Sequence, residues 1–168
     1  MEYELKRIST AGIPEAISKV ELYRGLNEPE EAESICRDIL VVEAEHQLAL
    51  RLLGLSLTDQ FAGGPSDRDR EAERIFQGLS DPYERLYYTG IVYERRAKAQ
   101  LRAGQPANSL VPLFEQALRF FAEAETIRPE GNDDAILRWN RCARLLQTTT
   151  YLSEQESAPF EAFDSPPT

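Results

Sequence analysis

Histidine and cysteine are scarce in this chain of 168 residues, which contains one histidine and two cysteines. Any catalytic or metal-binding group built on histidine must therefore use His46. The spacing Glu43-x-x-His46 matches half of a carboxylate di-iron site, but such sites need two of these motifs and a second one is missing. His46 lies at a predicted turn between helices, so we predict an exposed or helix-capping side chain.

The other usual signals of catalysis are also missing. Gly63-Gly64 is not followed by the Lys-Ser/Thr of a phosphate-binding loop, and no serine occupies a nucleophile elbow. Cys36 and Cys142 lie far apart within apolar helical patterns, which indicates buried core residues rather than a disulfide or a metal pair. We therefore predict no catalytic residue, no metal and no cofactor. A helical-bundle enzyme with a metal or carboxylate site is an alternative.

Long hydrophobic runs and net positive charge are missing as well. The first ten residues, MEYELKRIST, carry charges throughout and lack the apolar core of a signal peptide, and no later stretch is long enough to span a membrane. The formal charge of -10 argues against sequence-independent binding to nucleic acid or to an anionic membrane. We expect a soluble, cytoplasmic protein.

What the sequence does contain is helical periodicity. From Pro14 onward apolar residues recur three and four positions apart, and Pro, Gly, Asn and Asp divide the pattern into seven helices, with no convincing strand. The predicted helices span about 14–25, 29–42, 46–62, 68–79, 82–103, 107–128 and 133–151. Ser66 or Asp67 is predicted to cap the fourth helix, and Pro112 to make the sixth begin irregularly or kink.

Three segments follow from this pattern. Residues 1–12 form an N-terminal segment, 13–151 form one helical domain, and 152–168 form a tail. The tail from Ser153 onward has four carboxylates, three prolines and no basic residue. That composition predicts disorder.

The helices contain a degenerate internal repeat. Residues 13–46 fill one period of about 34 residues, and the next period opens with Leu-Leu-Gly at 52–54. The most complete signature has spacings of four, three and five: Ala117, Phe121, Ala124 and Pro129. Its first half recurs at Ala72 and Phe76, and Gly90 with Tyr93 repeat a first-helix pair three apart. This pattern resembles the tetratricopeptide repeat (TPR).

The resemblance implies an all-α fold: antiparallel hairpins stacked as a short right-handed solenoid, with the last helix as a C-terminal cap. It also implies that the first helix of each hairpin lines a concave groove. The positions that it places in this groove are Glu21, Arg24, Arg51, Leu55, Thr58, Tyr87, Ile91, Glu94, Arg95, Asn140 and Arg144. Those that we predict to bind a partner are Arg24, Arg51, Leu55, Tyr87, Ile91, Arg95, Asn140 and Arg144.

Arg51, Arg95 and Arg144, together with Asn140 and Tyr87, are predicted to hold a peptide carboxylate or acidic side chains. The alternative interpretation is a solvated face on which the arginines pair with neighbouring glutamates. A second basic patch is predicted at Arg138, Arg141 and Arg144 along one edge of the last helix.

The function predicted on these grounds is that of a non-catalytic protein–protein interaction module, an adaptor or assembly factor. Its partner would be a protein or peptide, with no nucleic acid and no membrane involved. A chaperone for an exported protein is the nearest alternative, and a structural subunit that forms homo-oligomers is another.

Overall fold

A computed structural model describes the backbone of residues 3–157 and the side chains of residues 3–149. This part of the chain is all-helical and contains no strand. Its seven helices are α1 (Ile13–Gly25), α2 (Pro29–Val42), α3 (Gln47–Asp59), α4 (Asp67–Gln77), α5 (Pro82–Arg102), α6 (Val111–Thr126) and α7 (Asp134–Ser157). The prediction of an all-α fold with seven helices is confirmed.

Polar side chains at three predicted turns begin three of the helices. His46 caps α3, where its Nδ1 accepts a hydrogen bond from the Ala49 amide at 3.1 Å. Ser66 caps α4 and exchanges hydrogen bonds with Asp69 in a capping box. Asp81 caps α5 by accepting from two backbone amides. These contacts satisfy N–H groups that have no partner within the helix, so they fix where each helix starts.

Pro112 gives α6 an irregular beginning rather than a kink. A 3₁₀ turn at Ala107–Leu110 precedes the helix, and Pro112 occupies its first turn. Proline is tolerated there because the first amides of a helix need no intrahelical acceptor.

The last helix is longer than predicted. α7 continues to Ser157, beyond the predicted end at Tyr151, so the prediction of disorder is wrong for residues 152–157. No glycine or proline interrupts the sequence between Asp134 and Pro159, and an acidic composition alone does not stop a helix. The rest of the predicted tail, residues 158–168, lies outside the described residues.

Each helix packs against the next one along the chain, from α1 through to α7. α3 also contacts both α1 and α5, so these three helices lie side by side. α7 packs on α6 at the end of the stack, where a capping helix was predicted. The right-handedness of the stack stays a prediction.

Two glycines let neighbouring helices pack closely, one between α3 and α4 and one between α5 and α6. A Cβ added at Gly54 would lie 2.3 Å from the Phe76 ring, and one added at Gly90 would lie 2.6 Å from the Phe121 ring. Both rings are fully buried. The repeated Gly and Phe positions recognised in the sequence are therefore packing partners, since only glycine leaves room for the ring.

The two cysteines are free and buried. Burial raises the pKa of each thiol to about 12. The prediction of core cysteines is confirmed, and neither thiol is ionised near neutral pH.

The buried side chains form two clusters, one mainly from α1 to α4 and one from α5 to α7. Leu55 and Tyr88 are half-buried and pack against both clusters. The stack is thereby joined at the contact between α3 and α5.

Candidate binding cavity

A cavity of about 360 Å³ lies beside α1, α3, α5 and α7. Five of its lining side chains are cationic. The full lining set is Arg24, Asn27, Pro29, Thr58, Asp59, Arg95, Lys98, Arg102 and Arg138. We call this site the basic cavity.

Asp59, at the end of α3, holds two of the arginines. Its Oδ2 accepts a hydrogen bond from Nε of Arg24 at 2.7 Å, and its Oδ1 accepts from Nη1 of Arg95. The same Nη1 donates to Oγ1 of Thr58 at 2.8 Å. Burial lowers the pKa of Arg95 more than Asp59 raises it, but guanidinium remains protonated. Asp59 therefore fixes two charged, partly desolvated arginines side by side.

Glu94 is buried and pairs with two more of the cavity cations. Its side chain is fully buried and binds Lys98, one turn further along α5. Its Oε2 also lies 3.4 Å from Nη1 of Arg138 on α7. Burial opposes the charge on Arg138, but Glu94 and a hydrogen bond with Tyr87 outweigh it and raise the pKa. The buried carboxylate thus positions two cations that belong to different helices.

Arg102 differs from the other four cations. It is the last residue of α5, its side chain is exposed, and it has no ion-pair partner among the described residues. Its donors are available to a ligand.

The cations of the basic cavity therefore outnumber the carboxylates that pair with them. Five cations face two carboxylates, Asp59 and Glu94, in a chain whose formal charge is -10. Charges of one sign gathered in a recess concentrate the local potential and attract ligands of the opposite sign.

Some of the predicted partner-binding residues do lie at this cavity. Arg24 and Arg95 line it. Arg51 instead binds Glu84 and lies over the Tyr88 ring, 5.9 Å from its centroid. All three arginines pair with carboxylates of the chain, but only Arg51 pairs with a glutamate, whereas Arg24 and Arg95 share an aspartate.

Three predicted groove residues that do not line the cavity are buried. Ile91, Tyr87 and Glu94 are 1%, 9% and 0% exposed, so the prediction that they face a groove is wrong for Ile91 and Glu94. Ala135 and Cys142 of α7 belong to the same buried cluster. Ile91 and Tyr87 therefore belong to the core that α5, α6 and α7 share.

The remaining predicted residues lie away from the cavity. Leu55 joins the two core clusters, Asn140 is half-buried, and Arg144 is exposed without an ion-pair partner among the described residues. The α7 residue that does line the cavity is Arg138, which the sequence placed in a patch with Arg144.

The sequence held a signal for the cavity residues that were missed. Arg95, Lys98 and Arg102 are spaced three and four apart, so they share one face of α5. Extending the face from Arg95 towards the helix end would have found Lys98 and Arg102. Arg138 could not be found in this way because it comes from another helix.

A second set of ion pairs has the opposite balance. Arg37 of α2 binds Glu33 at 2.6 Å and Glu71 of α4 at 3.0 Å. Arg96 of α5 lies 3.6 Å from one carboxylate of α4 and 3.5 Å from another. Glu71 and the two carboxylates that bind Arg96 lie on different faces of α4, so these are two separate groups of ion pairs. We call them together the acidic cluster, which consists of Glu33, Arg37, Asp69, Glu71, Glu73 and Arg96.

Among the residues that the structure describes, no group of three His, Cys, Asp or Glu side chains is arranged to hold a metal ion. None of the described helices is both long and apolar enough to cross a membrane.

Comparison of the chain with protein-family models, with curated proteins and with solved structures gave no match. The resemblance to tetratricopeptide repeats therefore rests on the residue spacings alone and stays a prediction.

Proposed function

We propose that this protein is a non-catalytic interaction module, a TPR-like helical stack that binds an acidic segment of a partner protein in the basic cavity. The observation that carries the proposal is the gathering of five cations at one recess of an acidic chain. Folds of this kind host many roles, so the fold alone does not indicate a function and the proposal rests on the cavity.

The arrangement of the cations supports recognition of carboxylate or similar groups. Four of the five are arginines, whose planar forks bind such groups through paired hydrogen bonds. Asp59 and Glu94 hold four of the cations in place before a ligand arrives. Side chains that are already ordered lose less entropy on binding.

Binding of degenerate peptide pools to the immobilised full chain tests this proposal. Three fluorescent pools share random flanks and differ at their centre, which holds glutamates, lysines or serines. We expect the glutamate pool to be retained above the other two, and its retention to fall as sodium chloride is added, because salt screens exposed charges.

A matched pair of variants locates the binding. Arg102→Glu reverses an exposed cavity charge, while Arg119→Glu reverses an exposed charge on α6 that does not line the cavity. Both change the net charge equally, so a loss confined to Arg102→Glu reports the cavity. Equal retention of the three pools, or equal losses in both variants, would refute the proposal.

A further inference from the structure

We infer that the group recognised in the basic cavity is a phosphomonoester, so that the partner segment is a peptide carrying phosphoserine or phosphothreonine. This inference rests on the proposed function and adds the chemical class of the ligand.

The first argument is the charge left over in the cavity. Asp59 and Glu94 offset two of the five cations, so three positive charges remain. A glutamate side chain supplies one negative charge, whereas a phosphomonoester carries about 1.5 to 2 near neutral pH. One phosphorylated residue therefore neutralises about half to two-thirds of this excess, whereas a single glutamate neutralises about one-third.

The second argument is the supply of donors. Arg24 binds Asp59 through Nε, and Arg95 makes both of its contacts through Nη1. Arg24 and Arg95 therefore each have further N–H groups that can bind a ligand. The guanidinium of Arg102 has no ion-pair partner among the described residues. A phosphate presents three acceptor oxygens and can engage several of these forks at once, while a carboxylate presents two.

The size of the cavity agrees with one compact anion. Its volume of about 360 Å³ is near the lower end for ligand pockets, enough for one charged group and its neighbouring atoms.

The test compares three degenerate pools whose flanks are identical and whose central residue is phosphoserine, glutamate or serine. We expect the full chain to retain the phosphoserine pool about tenfold or more above the glutamate pool, the effect of one added charge-assisted hydrogen bond. Inorganic phosphate should displace the retained peptides, while chloride at the same ionic strength should displace fewer.

Variants keep the test specific to the cavity. Arg102→Glu should abolish the preference for phosphoserine, and Arg119→Glu should leave it unchanged. Arg102→Lys keeps the charge but removes the fork, so it should reduce the preference. Circular dichroism of each variant confirms that the helices are intact.

The outcomes separate this inference from the proposed function. Equal retention of the phosphoserine and glutamate pools, both dependent on Arg102, would overturn the phosphate inference and leave the acidic-peptide proposal standing. Retention of neither pool above serine would overturn both. Retention of the phosphoserine pool that is unchanged in Arg102→Glu would place phosphate binding elsewhere and overturn the inference.

Discussion

In the basic cavity each carboxylate is shared by two cations, whereas in the acidic cluster each arginine is shared by two carboxylates. Asp59 and Glu94 are the shared groups of the first site. Arg37 and Arg96 are those of the second. The ion pairs therefore leave a net positive charge in the basic cavity and a net negative charge in the acidic cluster.

Individual carboxylates of the two sites differ in burial. Glu94 at the cavity has no exposed surface, while Glu33 and Glu71 of the acidic cluster have side chains that are 17% and 31% exposed. A buried charge depends on its partners because water cannot replace them, whereas water can solvate a partly exposed charge. Glu94 therefore depends on its ion pairs more than Glu33 and Glu71 depend on theirs.

The largest effect is expected when Glu94 loses both partners. The double variant Lys98→Met and Arg138→Met leaves a buried carboxylate uncompensated, which should lower the free energy of unfolding by about 3 to 5 kcal/mol. Urea unfolding of the double variant and the wild type measures the loss.

A pair with the same spacing provides the control. Lys19 lies one turn from Glu15, as Lys98 does from Glu94, but these side chains are 52% and 76% exposed. Lys19→Met should leave the urea midpoint unchanged. Adding Glu94→Leu to the double variant should recover stability; a deficit that is unaffected by this change would show that lost packing, not the buried charge, causes it.

A smaller effect is expected from the matching change in the acidic cluster. Arg37→Met removes the partner of Glu33 and Glu71, but water reaches both carboxylates, so the loss should stay below about 1 kcal/mol. The same urea series measures it. A loss as large as that of the cavity variant would contradict the difference in burial between the two sites.

The smallest effect concerns the pH dependence of Glu33. Burial would raise the pKa of this carboxyl, but hydrogen bonds from Gln60 and Arg37 outweigh it and lower the pKa from 4.5. The ionised form therefore adds stability above about pH 4.5, and this contribution is lost as pH falls through the lower, folded-state pKa.

Glu33→Gln should thus be slightly less stable than the wild type at pH 7, by under about 1 kcal/mol, and should approach it as the solution is acidified. Glu21→Gln, at an exposed position of α1, is the control. A difference between Glu33→Gln and the wild type that grows on acidification would show that the pKa is shifted in the other direction.

Local chemistry explains why so much of the fold could be predicted. Ser66, Asp81 and His46 cap helices through bonds to amides two or three residues away, so their effect is contained in a few letters of sequence. The periodicity of apolar residues likewise gave the number and order of the helices. The end of α7 was missed because composition was read as disorder where no helix-breaking residue occurs.

The site was harder to predict because it depends on which helices meet. Ile91 has the spacing of a groove residue, and only the core assembled from α5, α6 and α7 shows that it is buried. Arg138 and Lys98 are far apart in sequence and meet at Glu94, whose burial is not visible in its spacing. Arg24 and Arg95, which the resemblance placed in the groove, line the basic cavity, but Lys98, Arg102 and Arg138 were not among the groove residues.

The most direct test of the central claim is a two-dimensional amide NMR titration of the full chain with the glutamate-centred peptide pool. The account predicts shift changes at Thr58, Arg95, Lys98 and Arg102, which saturate together, while the amides of Arg37 and Glu71 stay in place. Changes confined to the acidic cluster, or spread evenly over the helices, would contradict the assignment of the basic cavity as the binding site.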